Sequence, residues 1–299
     1  QTIFQQLHKR VDSRHYHQGK ALTNIKQHNQ NVELVFSDET RIVADWVFAA
    51  DGIDSTVRKL CGTENKQYAR YIAWRGTLDA QQLQNQAFYQ TVNYIGYAGG
   101  HMVTYLIPGN SGQTLLNWLI YETLNHDNRH FVTANVDQTY RTTVSKYQFT
   151  EQHRHYLKHL VDQNFSSHIC HMVQQTQHPF IQNILDIRTD KLQYGRVCLT
   201  GDAAFVARPH AVAGATKALN SALLLKRCLE GTDLIDHAID QWASQQLTVE
   251  QPLYELGRAF GQALVTDVPD WPTMNAEKMS TWWQDVMAHR QWYVTKDVD

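Results

Sequence analysis

Two stretches of this 299-residue chain bring a carboxylate and small residues to the end of an apolar run. The first is Ala50-Asp51-Gly52-Ile53-Asp54-Ser55-Thr56-Val57-Arg58. An Asp-Gly turn, then Asp54 or Ser55 as a helix cap with Arg58 in the first turn, would aim backbone amides and a guanidinium at one spot. That arrangement suits a phosphate. The same residues also describe an ordinary strand–turn–helix with a surface arginine, and the stretch alone does not separate the two. The second is Gly195-Arg196-Val197-Cys198-Leu199-Thr200-Gly201-Asp202-Ala203-Ala204, followed by Arg208-Pro209-His210 and Gly214. Here a short apolar strand delivers Asp202 to its carboxyl end, where ligands sit in α/β sheets. Ala203, Ala204, Ala211, Ala213, Gly214 and Ala215 would let backbone approach a large flat group, with the positive end of the following helix aimed at it. A small-residue helix packed on a sheet is the alternative, and it leaves Asp202 unexplained.

The elements that must position these residues follow from periodicity. Thr2–Val11 reads as the end of a helix, and Ala21–Gln27, Val32–Phe36, Arg41–Val43 and Trp46–Ala50 as strands. Trp46–Ala50 is almost continuously apolar, as a buried parallel strand is. From Tyr68 to about Arg188 short strands (Tyr71–Leu78, Met102–Ile107, Thr114–Tyr121) alternate with polar loops, and helices fall near Gln152–Val161 and Asn164–Gln174. Arg196–Thr200 is a further strand. A helix is expected over Gly214–Leu229, stopped by Gly231; Asp233 would cap the next, running towards Glu250, and Pro252, Pro269 and Pro272 punctuate a helical tail. Sheet-type chain at both ends of a different module predicts one α/β domain built from discontinuous segments around an insertion.

Charge excludes several classes. Lys and Arg total 27 against 29 Asp and Glu, leaving no basic field for nucleic acid or an anionic membrane. No apolar run is long enough to cross a bilayer. Cys61, Cys170, Cys198 and Cys228 are scattered, which fits reduced thiols in the cytoplasm better than a disulfide framework. His155 and His159 lie four apart, and His168, His171 and His178 cluster. No His-Glu-x-x-His pattern or second nearby cysteine completes a metal set, so none is expected.

Together, in this order and spacing, the two motifs resemble fingerprints of the class A flavoprotein aromatic hydroxylases. In that family Asp-Gly-x-x-Ser-x-x-Arg lies near the pyrophosphates of FAD and NAD(P)H. Gly-Asp-Ala-Ala-x-x-x-x-Pro places its aspartate on the ribityl chain, with the proline-to-glycine loop along the isoalloxazine. Tyr68-Ala69-Arg70-Tyr71-Ile72-Ala73-Trp74-Arg75-Gly76 and Arg208–Ala218 are similar to the 2,6-dihydroxypyridine 3-monooxygenase branch, as are Phe36-Ser37-Asp38 and Leu106-Ile107-Pro108-Gly109. The likeness runs from about Tyr16 to about Leu247. Phe205 stands where the family usually has histidine, Val212 replaces the first glycine of Gly-x-Gly, and Ser221 replaces a common aspartate.

The resemblance implies an α/β fold: a partial, three-layer Rossmann-like FAD-binding domain (1–66 and 189–250), an inserted antiparallel-sheet substrate domain (67–188) and a helical tail (251–299). It implies FAD held by Asp51, Gly52, Ser55, Arg58, Gly201, Asp202, Ala203, Pro209, Ala213, Gly214 and Ala215. NADH or NADPH would reduce it, and O₂ would add to give a flavin C4a-hydroperoxide that hydroxylates a small electron-rich, hydroxypyridine-like ring. Pro209 and His210 would lie at the reactive edge, His210 bonding or deprotonating a substrate hydroxyl, with Trp74 and Arg75 walling the pocket. The alternatives are a surface or packing histidine at 210, a plain sheet residue at Trp74 and a surface charge at Arg75. Expected partners are the ring, O₂ and NAD(P)H, with a homodimer as a candidate assembly; a non-catalytic remnant and a His-rich metal binder are the competing functions. No Gly-x-Gly-x-x-Gly occurs in the chain. The family's opening βαβ region, on the order of a hundred residues with its following elements, is therefore expected to lie outside this sequence. The chain alone should then bind FAD poorly unless another polypeptide supplies that unit.

Overall fold

A computed structural model describes residues 2–83, 91–109, 112–125, 128–129, 143–144 and 149–288; the end of the expected tail, 289–299, lies outside them. After α1 (Thr2–His8), strands β1 (Leu22–Gln27), β2 (Val32–Phe36) and β3 (Arg41–Ala44) form an antiparallel sheet in chain order. The apolar run at Trp46–Ala50 becomes β4 (Val47–Ala49), leading through the Asp-Gly turn into α2 (Thr56–Leu60).

β5 (Lys66–Asp79) opens the largest sheet, with β6 (Asn93–Tyr97), β7 (Gly100–Pro108), β8 (Thr114–Thr123), β9 (Thr143–Val144), β10 (Phe180–Arg188) and β13 (Phe205–Val206). Its order is β13-β10-β5-β8-β7-β6, antiparallel throughout, with β9 also on β10. Period-two alternation along β5 decides what each side chain meets. Ile72, Trp74 and Leu78 face α3 (Glu151–Asn164) and α4 (Ser167–Gln174), packing on Leu157, Val161, Ile169 and Met172. Ala69, Tyr71 and Ala73 face the other way, with Val103, Leu119, Tyr121 and Ile184. Opposite Asn183–Leu185 the register of β5 shifts, and Arg70 takes φ 65°, so the strand is irregular immediately before Tyr71.

The remaining strands, β11 (Gln193–Tyr194) and β12 (Val197–Leu199), complete a small sheet in the order β11-β12-β4, in which β12 and β4 are parallel. Two helices cover it: α5 (Gly214–Glu230) and α6 (Ile235–Gly261), and α7 (Ala276–Met287) follows. Their shared core includes Phe205, Ile239, Trp242, Leu253 and Phe260.

Two expectations about α6 fail. Leu234, not Asp233, is its N-cap, and the helix continues through Pro252 to Gly261 before one π-helical turn, Gln262–Thr266. The buried positions Ile239, Trp242, Ala243, Gln246, Glu250, Leu253, Tyr254, Gly257 and Phe260 keep three-and-four spacing on both sides of Pro252. This continuous packed face outweighs the roughly 3 kcal/mol interior penalty of proline. Among the described residues, no helix is long and apolar enough to cross a membrane.

Candidate functional site

Parallel pairing of Leu199 with Ala49 ends β12 and β4 together, and the Thr200 amide donates to the Ala49 carbonyl at 2.9 Å. Both motifs therefore begin at one edge of one sheet. In the first, Ser55 caps α2 by accepting from the Arg58 amide, and Asp51 accepts from Ser55 Oγ at 2.5 Å and the Val57 amide at 3.1 Å. Gly52 takes φ 82°, and a Cβ there would meet open space. Arg58 is not a surface arginine. It is fully buried, donating to the carbonyls of Ala203 (2.8 Å) and Ile53 (2.6 Å), so its guanidinium ties the first motif to the second. Burial disfavours its charge, partly offset by Glu64, Asp51 and Asp54.

In the second motif Gly201 sits at φ 58°, Ala203 is buried, and the half-exposed Asp202 pairs with Lys217 Nζ at 2.7 Å. Lys217 is itself buried, lies over the Phe205 ring and donates to the Phe205 carbonyl. Phe205 thus fills core space. Ser221 faces Thr200 Oγ1 at 3.1 Å. Val212 occupies the left-handed region at φ 50°, a conformation glycine accepts readily, which accounts for the glycine of the family pattern. Ala213 caps α5 without a side-chain hydrogen bond, Gly214 and Ala215 are exposed, and a Cβ on Gly214 would touch nothing. An uncapped helix start beside open space and a half-exposed carboxylate fits a flat, polar, partly anionic group such as FAD.

Pro209 opens a short 3-10 turn that turns His210 inward. There His210 meets a cavity of about 430 Å³ lined by Tyr94, Gly96, His101, Phe260, Leu264, Trp271, Met279, Trp282 and Trp283. Its Nε2 lies 2.9 Å from the Tyr71 hydroxyl. The Arg208 guanidinium, bonded through Nε and Nη2 to both oxygens of Asp186, lies over the Tyr71 ring. His101 donates from Nδ1 to the Leu264 carbonyl at 2.9 Å, stacks on Tyr121, and has a buried Nε2 without a partner. Burial, then His101 and Arg208, holds His210 well below its ordinary pKa; burial pushes His101 down to about 4. Both imidazoles are therefore neutral near pH 7. Tyr71 and Tyr121 are pushed upward by burial and keep their protons.

Trp74 and Arg75 do not join this cavity. Trp74 is on the opposite face of β5, fully buried, stacked on Tyr156 and donating to Glu122 at 2.7 Å. Arg75 is held by Gln182 at 2.6 Å and lies over Phe180. The motifs did not name His101, Tyr121 or Asp186, which come from β7, β8 and β10 and stand around His210 and Arg208. Arg208 and Tyr71 lay inside the stretches that carried the resemblance; nothing in the sequence distinguished His101 from fifteen other histidines. Among the described residues no group of three His, Cys, Asp or Glu side chains is placed to hold a metal.

In fold and in its paired motifs the chain is similar to FAD-dependent aromatic hydroxylases. The sequence model of a family described as FAD binding domain-like matches residues 68–186. The 2,6-dihydroxypyridine 3-monooxygenase of Paenarthrobacter nicotinovorans is 30% identical over 256 residues, covering 82% of this chain and 64% of that protein. A 6-hydroxynicotinate 3-monooxygenase of Pseudomonas fluorescens is 25% identical over 74% of this chain and 53% of its own length. The chain thus spans less than two thirds of these relatives. The solved 2,6-dihydroxypyridine-3-hydroxylase from Arthrobacter nicotinovorans superposes with a TM-score of 0.80 at 27% identity, covering 88% of this chain and 69% of that one. A salicylate hydroxylase substrate complex shares the fold, with a TM-score of 0.70 at 18% identity over all of this chain and 76% of that one.

Proposed function

We propose that this chain supplies the substrate cavity and part of the flavin site of a monooxygenase that hydroxylates a small electron-rich aromatic or N-heteroaromatic ring, hydroxypyridine-like, using NAD(P)H and O₂. The observation that carries the reading is the apolar, tryptophan-walled cavity with two neutral histidines, one of which, His210, stands four residues before the uncapped start of α5, the helix whose Lys217 pairs with Asp202. Gly201, Asp202, Ala203, Pro209, Ala213, Gly214 and Ala215 would hold the flavin's ring and ribityl part. Asp51, Gly52 and Ser55 would serve its phosphate end, with Arg58 bracing the turn. Bound FAD would supply the activation of O₂ at the expense of NAD(P)H.

The protein's own work is placement. Trp271, Trp282 and Phe260 enclose a ring and exclude water, while His210 and His101 give it polar partners at one end. A flat aromatic ligand suits such walls, since stacked pairs add about 0.5–1.5 kcal/mol beyond area burial. Residues 67–188 are read as the substrate-binding part, with Phe260, Trp271 and Trp282 of the helical tail closing its cavity, and 1–66 with 189–250 as the flavin-binding part, working in the cytoplasm.

Incubation of an FAD-loaded form with NAD(P)H, air and a series of hydroxypyridines and phenols should give ring-hydroxylated products. NAD(P)H oxidation without product for every ring would move the reading to an oxidase or reductase. In the same form Asp202→Ala should weaken FAD binding by about 1.5–3 kcal/mol, the value of a hydrogen bond to a charged group. Unchanged FAD affinity would detach this loop from the flavin.

A further inference from the structure

Two buried cations meet the turn that carries Asp202. Arg58 holds its backbone, donating to the Ala203 carbonyl at 2.8 Å. Lys217, near the start of α5, holds its side chain, with Nζ 2.7 Å from Oδ1. The same ammonium donates to the Phe205 carbonyl and lies 4.8 Å from the centre of the Phe205 ring. The pair is lopsided in exposure: 3% for the Lys217 side chain, 50% for that of Asp202. The ammonium therefore reaches the carboxylate from inside the protein, where α5 lies against the turn and a Cβ on Gly201 would stand 4.0 Å from that of Ala218. Among the described residues nothing else pairs with this carboxylate, and Oδ2 is left for a group arriving from the outer side.

Stability does not call for an ammonium at this place. Removing one from water is costly, and a carboxylate partner half in solvent offsets only part of that. A methionine of similar length would fill the same space over the Phe205 ring and bury no charge. What methionine cannot do is fix the carboxylate. An unheld aspartate on an exposed turn rotates, and a ligand that uses it must arrest that rotation. Held at Oδ1, it is already aimed. We propose that Lys217 is a positioning residue for the flavin, acting through Asp202 to present Oδ2 to the hydroxyls of the ribityl chain. This rests on the functional reading above, in which Asp202 serves that chain. A hydroxyl donates and a carboxylate oxygen accepts, whereas the isoalloxazine ring takes no part in the contact. Lys217 should thus matter to a flavin that carries a ribityl chain and be indifferent to a bare ring.

Riboflavin carries the ribityl chain, lumiflavin carries the ring alone, and neither needs a site for phosphates or adenosine. Their affinities for the 299-residue chain are read from quenching of flavin fluorescence. Wild type should bind riboflavin at least about tenfold tighter than lumiflavin, the worth of one hydrogen bond to a charged group. Lys217→Met should weaken riboflavin about tenfold and leave lumiflavin within about twofold, with the melting temperature maintained. In an Asp202→Ala background the same substitution should change neither affinity. Equal loss of both flavins in Lys217→Met would show a merely structural role and overturn the proposal, as would a riboflavin loss that persists without Asp202. A measurement on wild type covers the case in which Lys217→Met does not fold. Among ¹⁵N-labelled lysine ammonium signals, the one displaced by Asp202→Ala should shift with riboflavin and ignore lumiflavin; a signal indifferent to both overturns the proposal. Wild type that binds lumiflavin as tightly as riboflavin overturns it too, while leaving the ring site standing. Binding of neither flavin overturns the flavin reading itself.

Discussion

Val212 holds a left-handed backbone at φ 50° with most of its side chain in solvent, 72% exposed. A β-branched residue gains no packing there to offset a strain of about 1–2 kcal/mol. Val212→Gly should therefore stabilise the chain, by about 0.5–1 kcal/mol once the extra freedom of glycine in the unfolded state is subtracted. Urea unfolding of the two proteins measures it, and a destabilised variant would mean the loop is not left-handed. The position was visible beforehand as a departure from the Gly-x-Gly pattern. Its backbone angle was not, because a motif records which residue is usual and not the conformation that makes it so. Arg58 illustrates the reverse case: its place in the motif was evident, but burial and two carbonyl partners from different loops arise only when β4 and β12 lie side by side. Trp74 and Arg75 were assigned to the cavity on the resemblance of the stretch Tyr68–Gly76, and the alternation of β5 sends Trp74 away from it.

At the scale of elements, α6 was the part read least well. A proline at 252 suggested an end, whereas the apolar spacing on either side of it continues unbroken. The glycines of its last turns show why the length matters. Gly257 lies under the Arg208 backbone, where a Cβ would stand 3.0 Å from the amide nitrogen, and Gly261 lies under the Tyr71–Arg208 contact. Gly261→Ala should destabilise the chain by about 1–3 kcal/mol through overpacking, and it should disturb His210 as well. Thermal unfolding checks the first, and the His210 ring signals the second. An unperturbed Gly261→Ala protein would show that the groups above it have room to move. The strands were easier to read, since strict alternation in β2 and the apolar run of β4 are local signals. The pairing of β5 with β10, more than a hundred residues later, is not.

For the molecule as a whole, pH dependence should carry the mark of Glu250, whose buried carboxyl is pushed up to about 7 by desolvation against hydrogen bonding from Gln246 and the charges of Lys217 and Arg188. Its unfolded pKa is near 4.5. Between those values the folded state holds more protons than the unfolded one, so this group's contribution to stability falls as pH rises from about 4.5 through 7, by about 3 kcal/mol in the limit. Glu250→Gln keeps the shape and cannot ionise. Relative to wild type its stability should rise across that window and level off above it, as measured by urea unfolding at stepped pH. A constant difference from pH 5 to 8 would show that Glu250 stays ionised. His101 works in the opposite sense: its folded pKa is depressed to about 4, so acid destabilises through it. The comparison must therefore be between variant and wild type and not along the wild-type curve.

One consequence concerns leverage. The helix that carries Glu250 runs on to Gly261, and the turn after it offers the Leu264 carbonyl to His101 and the Val265 carbonyl to Thr123. Eleven helical rises separate Glu250 from Gly261, about 16 Å. A lean of about 2° over that arm carries the far end about half an ångström, which is the whole range of distance over which an N–H···O bond keeps its strength. The polar end of the cavity is therefore set by the attitude of a rod whose middle is buried at Glu250, and the site tolerates almost no tilt in it.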